Sequence, residues 1–247
     1  MSSRAIVVGA TEGLGRALCD ELAAKGYDLV IASRTAADLD RVAGELRSTH
    51  PNVRVSPLVL DIAGPDTELR SFVRDVTAVG NPALILVVAG AVSDNDDGLG
   101  DWDLTERLVR TNMVGAMQLG GSFASLFEHQ GRGTLVFFSS IAAGAPRGRN
   151  VAYAAAKSGL ESYARSLQHR FAGSDVAVQL YRLGYLDTRL AEGRTVLFPP
   201  SDPRRVARRV IAGLDGGSRA AFEPRYWGAV VRILGILPKF IYNRLRF

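Results

Sequence analysis

The sequence predicts a doubly wound α/β fold: a mostly or fully parallel sheet of about seven strands with helices on both faces. Three observations predict it. Short apolar runs alternate with amphipathic stretches along nearly the whole chain. Runs such as Leu84-Ile85-Leu86-Val87-Val88 are apolar without alternation, as strands covered on both faces are. A glycine-rich turn from Gly9 to Gly15 joins the first run to the first amphipathic stretch, and ligands of such folds bind beyond the carboxyl ends of the strands.

The elements follow in order. Ala5 to Val8 is a short β-branched strand ending at Gly9. Gly13 to Lys25 carries Leu14, Leu18 and Leu22 at helical spacing, and Gly26 closes it. Leu29 to Ala32 is the second strand, and Ala36 to Ser48 a helix with Leu39, Val42 and Leu46 on one face. Val53 to Leu60 is the third strand and Thr67 to Val76 a helix. Leu84 to Val88 is the fourth strand. A polar loop, Ser93 to Gly100, leads to one long helix over Leu104–Phe127. Gly133 to Ser139, Val151 to Phe171 and Val176 to Tyr181 give strand, helix and strand. Arg204 to Leu214 is helical and Ala220 to Phe222 a short seventh strand. Residues 1–225 form one domain of this Rossmann type, and 226–247 an amphipathic tail extending it. Gly184 to Asp202 is long and irregular, beyond a strand end, and is expected to act as a substrate lid.

Composition removes several function classes. Apolar residues make up 47% of the chain and mean hydropathy is +0.07, which suits a filled core and not a disordered chain. No uncharged apolar run reaches the roughly 18–20 residues of a membrane span, and no signal peptide is read at the N-terminus. A cytoplasmic protein is expected, with membrane association, if any, on the cytoplasmic face. The lone cysteine, Cys19, lies in the apolar pattern of the first helix and reads as a buried hydrophobe. A net charge of +5 and pI of about 9.6 favour anionic ligands. No basic run with interleaved aromatics points to nucleic acid. His50, His129 and His169 are scattered, so no metal site is expected.

The glycine loop has a physical logic. Gly9 permits the tight turn, Gly13 lets the backbone approach a diphosphate, and Gly15 lets helix and strand pack closely. Free N–H groups at the helix start then hold the phosphates. The second strand ends Ala32-Ser33-Arg34-Thr35. An acid here would bind the ribose hydroxyl of NAD, whereas Arg34, flanked by two hydroxyls, favours the 2′-phosphate of NADP(H). Glu12, within the phosphate loop, argues mildly the other way, so NAD(H) stays open. Asp61, after the third strand, either meets the adenine edge or caps its own loop.

Tyr153 and Lys157 stand four apart near a helix start and share one face. A free phenol ionises near pH 10, too high for efficient base catalysis, and a nearby ammonium favours the phenolate. Ser140, at the end of the preceding strand, is suited to hydrogen-bond a substrate oxygen.

These motifs, in this order, resemble the short-chain dehydrogenase/reductase family from Arg4 to about Thr188. The segment Ser139 to Gly144, followed by Tyr153-Ala154-Ala155-Ala156-Lys157-Ser158-Gly159, is the most specific part. The resemblance implies that Ser140, Tyr153 and Lys157 are catalytic, Ser139 being the less favoured serine. Asn112 matches the helix asparagine that holds a water linked to the lysine. Lys157 and Tyr153 also meet the nicotinamide ribose. The implied dinucleotide site further takes in Gly9, Thr11, Glu12, Gly13, Leu14, Gly15, Ser33, Arg34, Thr35, Asp61, Ile62, Ala89, Gly90, Gly184 and Thr188. Three departures mark a divergent branch: Val88 stands in place of an Asn, Val8 in place of a Thr, and Leu183-Gly184 in place of Pro-Gly.

The tail is unusual for that family. Tyr226 to Phe247 is rich in aromatic and aliphatic residues; Arg225, Arg232, Lys239, Arg244 and Arg246 add charge, and no acid follows Glu223. Arg232 and Pro238 break it into two short amphipathic helices, suited to an anionic membrane surface or to packing on its own domain or on another subunit. It resembles the tails of reductases of polyprenyl-phosphate-linked sugars, such as decaprenylphosphoryl-2-keto-erythropentose reductases. The resemblance implies an NADP(H)-dependent reductase of a small-molecule or lipid-linked ketone, assembled as a homodimer or homotetramer. Steroid, fatty acyl and sphingoid ketones are alternative substrates. A non-catalytic dinucleotide-binding regulator is the alternative of another class.

Overall fold

The computed structural model describes residues 3–187 and 199–244. Among these, seven strands form one sheet in the order β3-β2-β1-β4-β5-β6-β7, every neighbouring pair parallel. The strands are β1 (Arg4–Val8), β2 (Asp28–Ser33), β3 (Val55–Val59), β4 (Leu84–Val87), β5 (Gly133–Ser140), β6 (Val176–Leu183) and β7 (Arg219–Glu223). The predicted doubly wound fold is what the chain adopts.

Alternation along each strand divides the core in two. Ala5 and Val7 of β1, Leu84 and Leu86 of β4, and Val136 and Phe138 of β5 face one side. There α1 (Gly13–Ala24), α2 (Ala36–Thr49) and α7 (Pro203–Ala212) cover them with Leu18, Leu22, Leu46 and Val210. Ile6, Val8, Ile85, Val87, Leu135 and Phe137 face the other side. That face is covered by α3 (Asp66–Ala78), α5 (Gly115–Gln130) and α6 (Val151–Arg170) through Phe72, Phe123, Phe127 and Leu160. Each fully buried side chain of this size stabilises the fold by about 1.5–3 kcal/mol relative to exposure. Cys19 is one of the buried set, and burial pushes its thiol up to about 12, as befits a packing residue. Pro57 is tolerated in β3 because that strand lies at the sheet edge.

The helix expected over Leu104–Phe127 differs in its middle. It starts earlier as α4 (Trp102–Val109), passes through a π turn at Arg110–Val114, and continues as α5. The π turn carries Asn112, which is fully buried. Directly after it, Gly115 lies so close to Ile62 that a Cβ would stand 2.0 Å from the Ile62 carbonyl oxygen.

The order reversal between β1 and β4 opens a crevice at the carboxyl ends of the strands. After β7, the tail forms α8 (Trp227–Ile236) and α9 (Lys239–Tyr242), interrupted at Leu237 and Pro238. No helix among the described residues is long and apolar enough to cross a membrane.

Candidate active site

The glycine loop crosses from β1 to α1 at the crevice. Gly9 has φ +90°, and a Cβ there would stand 2.6 Å from the Ala89 nitrogen, so this turn requires glycine. A Cβ on Gly15 would come within 1.8 Å of the Gly9 carbonyl oxygen, which makes Gly15 the close-packing glycine. Gly13 also has a positive φ, 50°. Glu12 stands at the N-cap of α1 without a side-chain cap bond to the helix. Such a start suits an anionic ligand whose oxygens take the first N–H groups. A glycine cradle and an uncapped helix start thus fit a dinucleotide diphosphate.

The ends of β2 and β3 flank this loop. Thr11 Oγ1 and Ser33 Oγ lie 3.1 Å apart and share a hydrogen bond, tying the loop to β2. Arg34 and Thr35 are exposed just beyond, at the start of α2. Asp61 takes the loop-capping option: its Oδ1 accepts from the Ala63 N–H at 3.0 Å. Ile62 is buried in the core beneath Gly115, with Leu14 buried in the opposite core.

Lys157 is the most unusual group. It is 5% exposed, and its Nζ donates to the Phe138 carbonyl of β5 at 3.0 Å. The same ammonium lies 5.9 Å from the Tyr153 ring centre. Burial lowers its pKa from 10.5 to about 8. Gly90 sits against it: a Cβ there would be 3.1 Å from Asn112 Oδ1 and 3.6 Å from Lys157 Nζ. Tyr153, Lys157, Asn112 and Gly90 therefore converge at the ends of β4 and β5. The Asn112 carboxamide is engaged by main chain. Its Nδ2 donates to the carbonyls of Ala91 (2.7 Å) and Leu108 (2.9 Å), and Oδ1 accepts from the Ala91 N–H at 3.2 Å.

The two serines at the end of β5 separate by exposure. Ser139 is buried, its Oγ donating to the Lys157 carbonyl at 3.5 Å. Ser140 is half-buried, and its Oγ caps the following 3-10 turn by accepting from Ala142 N–H at 3.2 Å. Of the two, Ser140 is therefore the more exposed.

One residue of the site escaped sequence reasoning. Asp96, buried in the loop after β4, accepts from the N–H groups of Ala152 and Tyr153, one with each carboxylate oxygen and both at 2.9 Å. The only sequence signal was an acid in a polar loop, with its partners more than fifty positions away.

The tail packs beside the end of β6 and the turn that follows β5. Trp227 is buried against Gly184, where a Cβ would meet Trp227 Nε1 at 1.9 Å, and its ring meets Tyr185 edge-on with centres 5.5 Å apart. Gly184 therefore contacts the tail. Val231 packs on Gly144, and the Tyr242 hydroxyl donates to the Pro146 carbonyl. Arg147 Nη1 donates to the Tyr185 hydroxyl at 2.9 Å. The opposite side is open: Ile233 is 57% exposed, Ile236 77% and Phe240 65%. Thr188, most of the expected lid, and Leu245, Arg246 and Phe247 of the tail lie outside the described residues. Among the described residues no cluster of three or more His, Cys, Asp or Glu side chains could hold a metal ion.

Known proteins match this arrangement. The family model for short chain dehydrogenases matches residues 3–195. An uncharacterized oxidoreductase of Streptomyces coelicolor is 31% identical over 243 residues, 97% of this chain and 94% of that protein. A very-long-chain 3-oxoacyl-CoA reductase of Aspergillus terreus is 26% identical over 238 residues, 91% of this chain and 65% of that protein. Among solved structures, a short-chain dehydrogenase from Sphingobium yanoikuyae in complex with NADPH superposes with a TM-score of 0.84 at 21% identity, covering 99% of this chain and 96% of that one. With the glycine loop, the Tyr-x-x-x-Lys helix and the seven-stranded sheet in one chain, the protein belongs to the short-chain dehydrogenase family of oxidoreductases.

Proposed function

We propose that this oxidoreductase interconverts a ketone and its alcohol with NADP(H), reduction being the working direction, and that Tyr153 exchanges the proton. The observation that carries the reading is the buried Lys157 ammonium, 3.0 Å from the Phe138 carbonyl and 5.9 Å from the Tyr153 ring centre. An ammonium at that range favours the phenolate and brings the phenol closer to neutrality as an acid–base group. The bound dinucleotide supplies the hydride. Ser140 orients the carbonyl oxygen, Tyr153 protonates it, and Lys157 stabilises the phenolate left behind. Asn112 holds the Ala91 backbone beside Lys157 and helps resupply the proton.

For the cofactor, Arg34 at the end of β2 has the charge to hold a 2′-phosphate, and Thr11 and Ser33 add hydroxyls beside it. The Sphingobium relative holds NADPH. Thr188, outside the described residues, is by the family pattern the candidate for the nicotinamide amide or the phosphates.

The substrate is a ketone on a lipid-like molecule, a lipid-linked sugar being the first reading. Its support is the tail, which packs Trp227 against Gly184 at the end of β6 and leaves Ile236, Phe240, Arg232 and Lys239 exposed. That outer face is suited to rest on an anionic bilayer at the cytoplasmic face. A fatty acyl ketone is the second reading, favoured by the Aspergillus relative, a very-long-chain 3-oxoacyl-CoA reductase. The protein assembles as a homodimer or homotetramer through the long helices α4–α5 and α6.

The test is Tyr153→Phe, assayed for NADPH-dependent reduction across lipid-linked sugar and 3-oxoacyl ketones. A loss of about 10²–10⁴ in kcat with NADPH affinity unchanged is expected. Near-normal turnover would sink the mechanism.

A further inference from the structure

We infer that Asp96 is a positioning residue for Tyr153: it caps the catalytic helix from a distant loop and sets the tyrosine's place against the cofactor crevice. The inference rests on the role given to Tyr153 above.

The first turn of any helix leaves N–H groups without intrahelical partners, and a residue at the N-cap usually serves them. In α6 that residue is Asn150, a good cap by residue type. Its φ of 63° is left-handed, and its side chain makes no cap bond. The work falls to Asp96. Its main-chain oxygen accepts from Val151 N–H at 3.2 Å, and its carboxylate oxygens accept from Ala152 N–H and Tyr153 N–H at 2.9 Å each. Three successive N–H groups thus end on one residue, 55 to 57 positions away in sequence, and the last belongs to Tyr153 itself.

Both ends of this contact are held. Asp96 is 3% exposed, and a carboxylate buried to that degree is costly unless its oxygens are bonded. Its loop starts from Ala91, gripped on both its N–H and its carbonyl by Asn112. Further along, Gly98 has φ +78° and packs on Val151, where a Cβ would stand 2.9 Å from Cγ1. Lys157, one turn beyond Tyr153, is anchored separately on Phe138. Tyrosine and lysine therefore take their positions from different strands: β4 through Asp96, and β5 through Phe138. Loss of Asp96 would free the first turn while Lys157 and the glycine loop stay in place. A displacement of about 1 Å in a reacting group costs roughly 10²-fold in rate. The predicted signature is a fall in kcat without a fall in dinucleotide affinity.

The experiment compares wild type, Asp96→Ala, Asp96→Asn and Tyr153→Phe. It measures NADPH affinity by fluorescence, kcat and KM with a 1,2-diketone probe, and backbone amide exchange across residues 150–157. Asp96→Ala should lower kcat by roughly 10- to 100-fold, leave NADPH affinity and KM within about twofold, and speed exchange across that segment. Asp96→Asn, which keeps one acceptor oxygen, should fall between Ala and wild type in both readouts. The inference is overturned by unchanged kcat or unchanged exchange in Asp96→Ala. It is equally overturned if Asn is no better than Ala, or if NADPH affinity falls in step with kcat. If Tyr153→Phe loses turnover and Asp96→Ala keeps it, only the role of Asp96 fails. If Tyr153→Phe keeps turnover, the acid–base mechanism fails and takes that role with it.

Discussion

The ammonium of Lys157 donates a 3.0 Å hydrogen bond to the main-chain carbonyl of Phe138, in a setting that leaves the lysine 5% exposed. A buried cation is costly, and burial lowers the Lys157 pKa from 10.5 to about 8. The sign of the pH effect follows. Between pH 8 and 10.5 the unfolded chain keeps the proton that the folded chain has released. Stability therefore rises with pH across that window, and below it the folded state carries the full cost of the buried charge, about 3 kcal/mol.

Lys157→Met separates this cost from its use. The substitution removes the buried charge but leaves the Phe138 carbonyl without its donor, a loss of about 1–3 kcal/mol. The two effects nearly offset, so thermal melting at pH 7 should hold to within a few degrees. Turnover should fall by at least about 10²-fold, since the phenol loses its cation. Melting curves and steady-state rates on one preparation check both. A variant that unfolds would contradict the balance; one that turns over normally would contradict the role of the ammonium.

Arg34 is exposed at the end of β2, beyond the Thr11–Ser33 hydroxyl pair. Hydrogen bonds to charged groups contribute about 1.5–3 kcal/mol, so Arg34→Ala should weaken NADPH binding by roughly 10- to 100-fold. NADH binding should hardly change. Fluorescence titration of both cofactors decides it, and equal weakening of the two would remove Arg34 from the 2′-phosphate.

Gly15 tolerates no side chain without backbone movement, because its Cβ would lie 1.8 Å from the Gly9 carbonyl oxygen. Gly15→Ala should lower stability by about 1–3 kcal/mol or more and weaken either dinucleotide alike, as α1 is pushed off β1. Chemical denaturation and cofactor titration together test this. Undisturbed melting and binding would mean that helix and strand do not pack as closely as described.

The outward side of the tail exposes Ile236 and Phe240 while Trp227 holds the inner side. Ile236→Asp combined with Phe240→Asp should therefore leave melting within about 0.5 kcal/mol of wild type, as surface substitutions do. It should also abolish flotation with phosphatidylglycerol vesicles, and wild-type flotation should weaken with salt. Equal flotation of both proteins would remove the tail from membrane contact.

Much of this protein was legible in its sequence because the deciding interactions are local or periodic. Strands covered on both faces must be continuously apolar, and the run at Leu84–Val88 could be read on that ground alone. Gly9 and Gly15 lie within one βα turn, and Tyr153 and Lys157 within one helical turn, so spacing alone brought each pair together. Tertiary structure decided what joins distant segments. The cap on α6 comes from Asp96 and not from the adjacent Asn150, whose backbone is left-handed and whose side chain makes no cap bond. The π turn presents Asn112 to Ala91, twenty-one positions earlier, and Gly115 directly after it lies against Ile62. Gly184 is small because Trp227, forty-three positions later, lies against it. Such contacts leave no period in the sequence, since hydrogen bonding and close packing select partners by proximity in the folded chain and not along it.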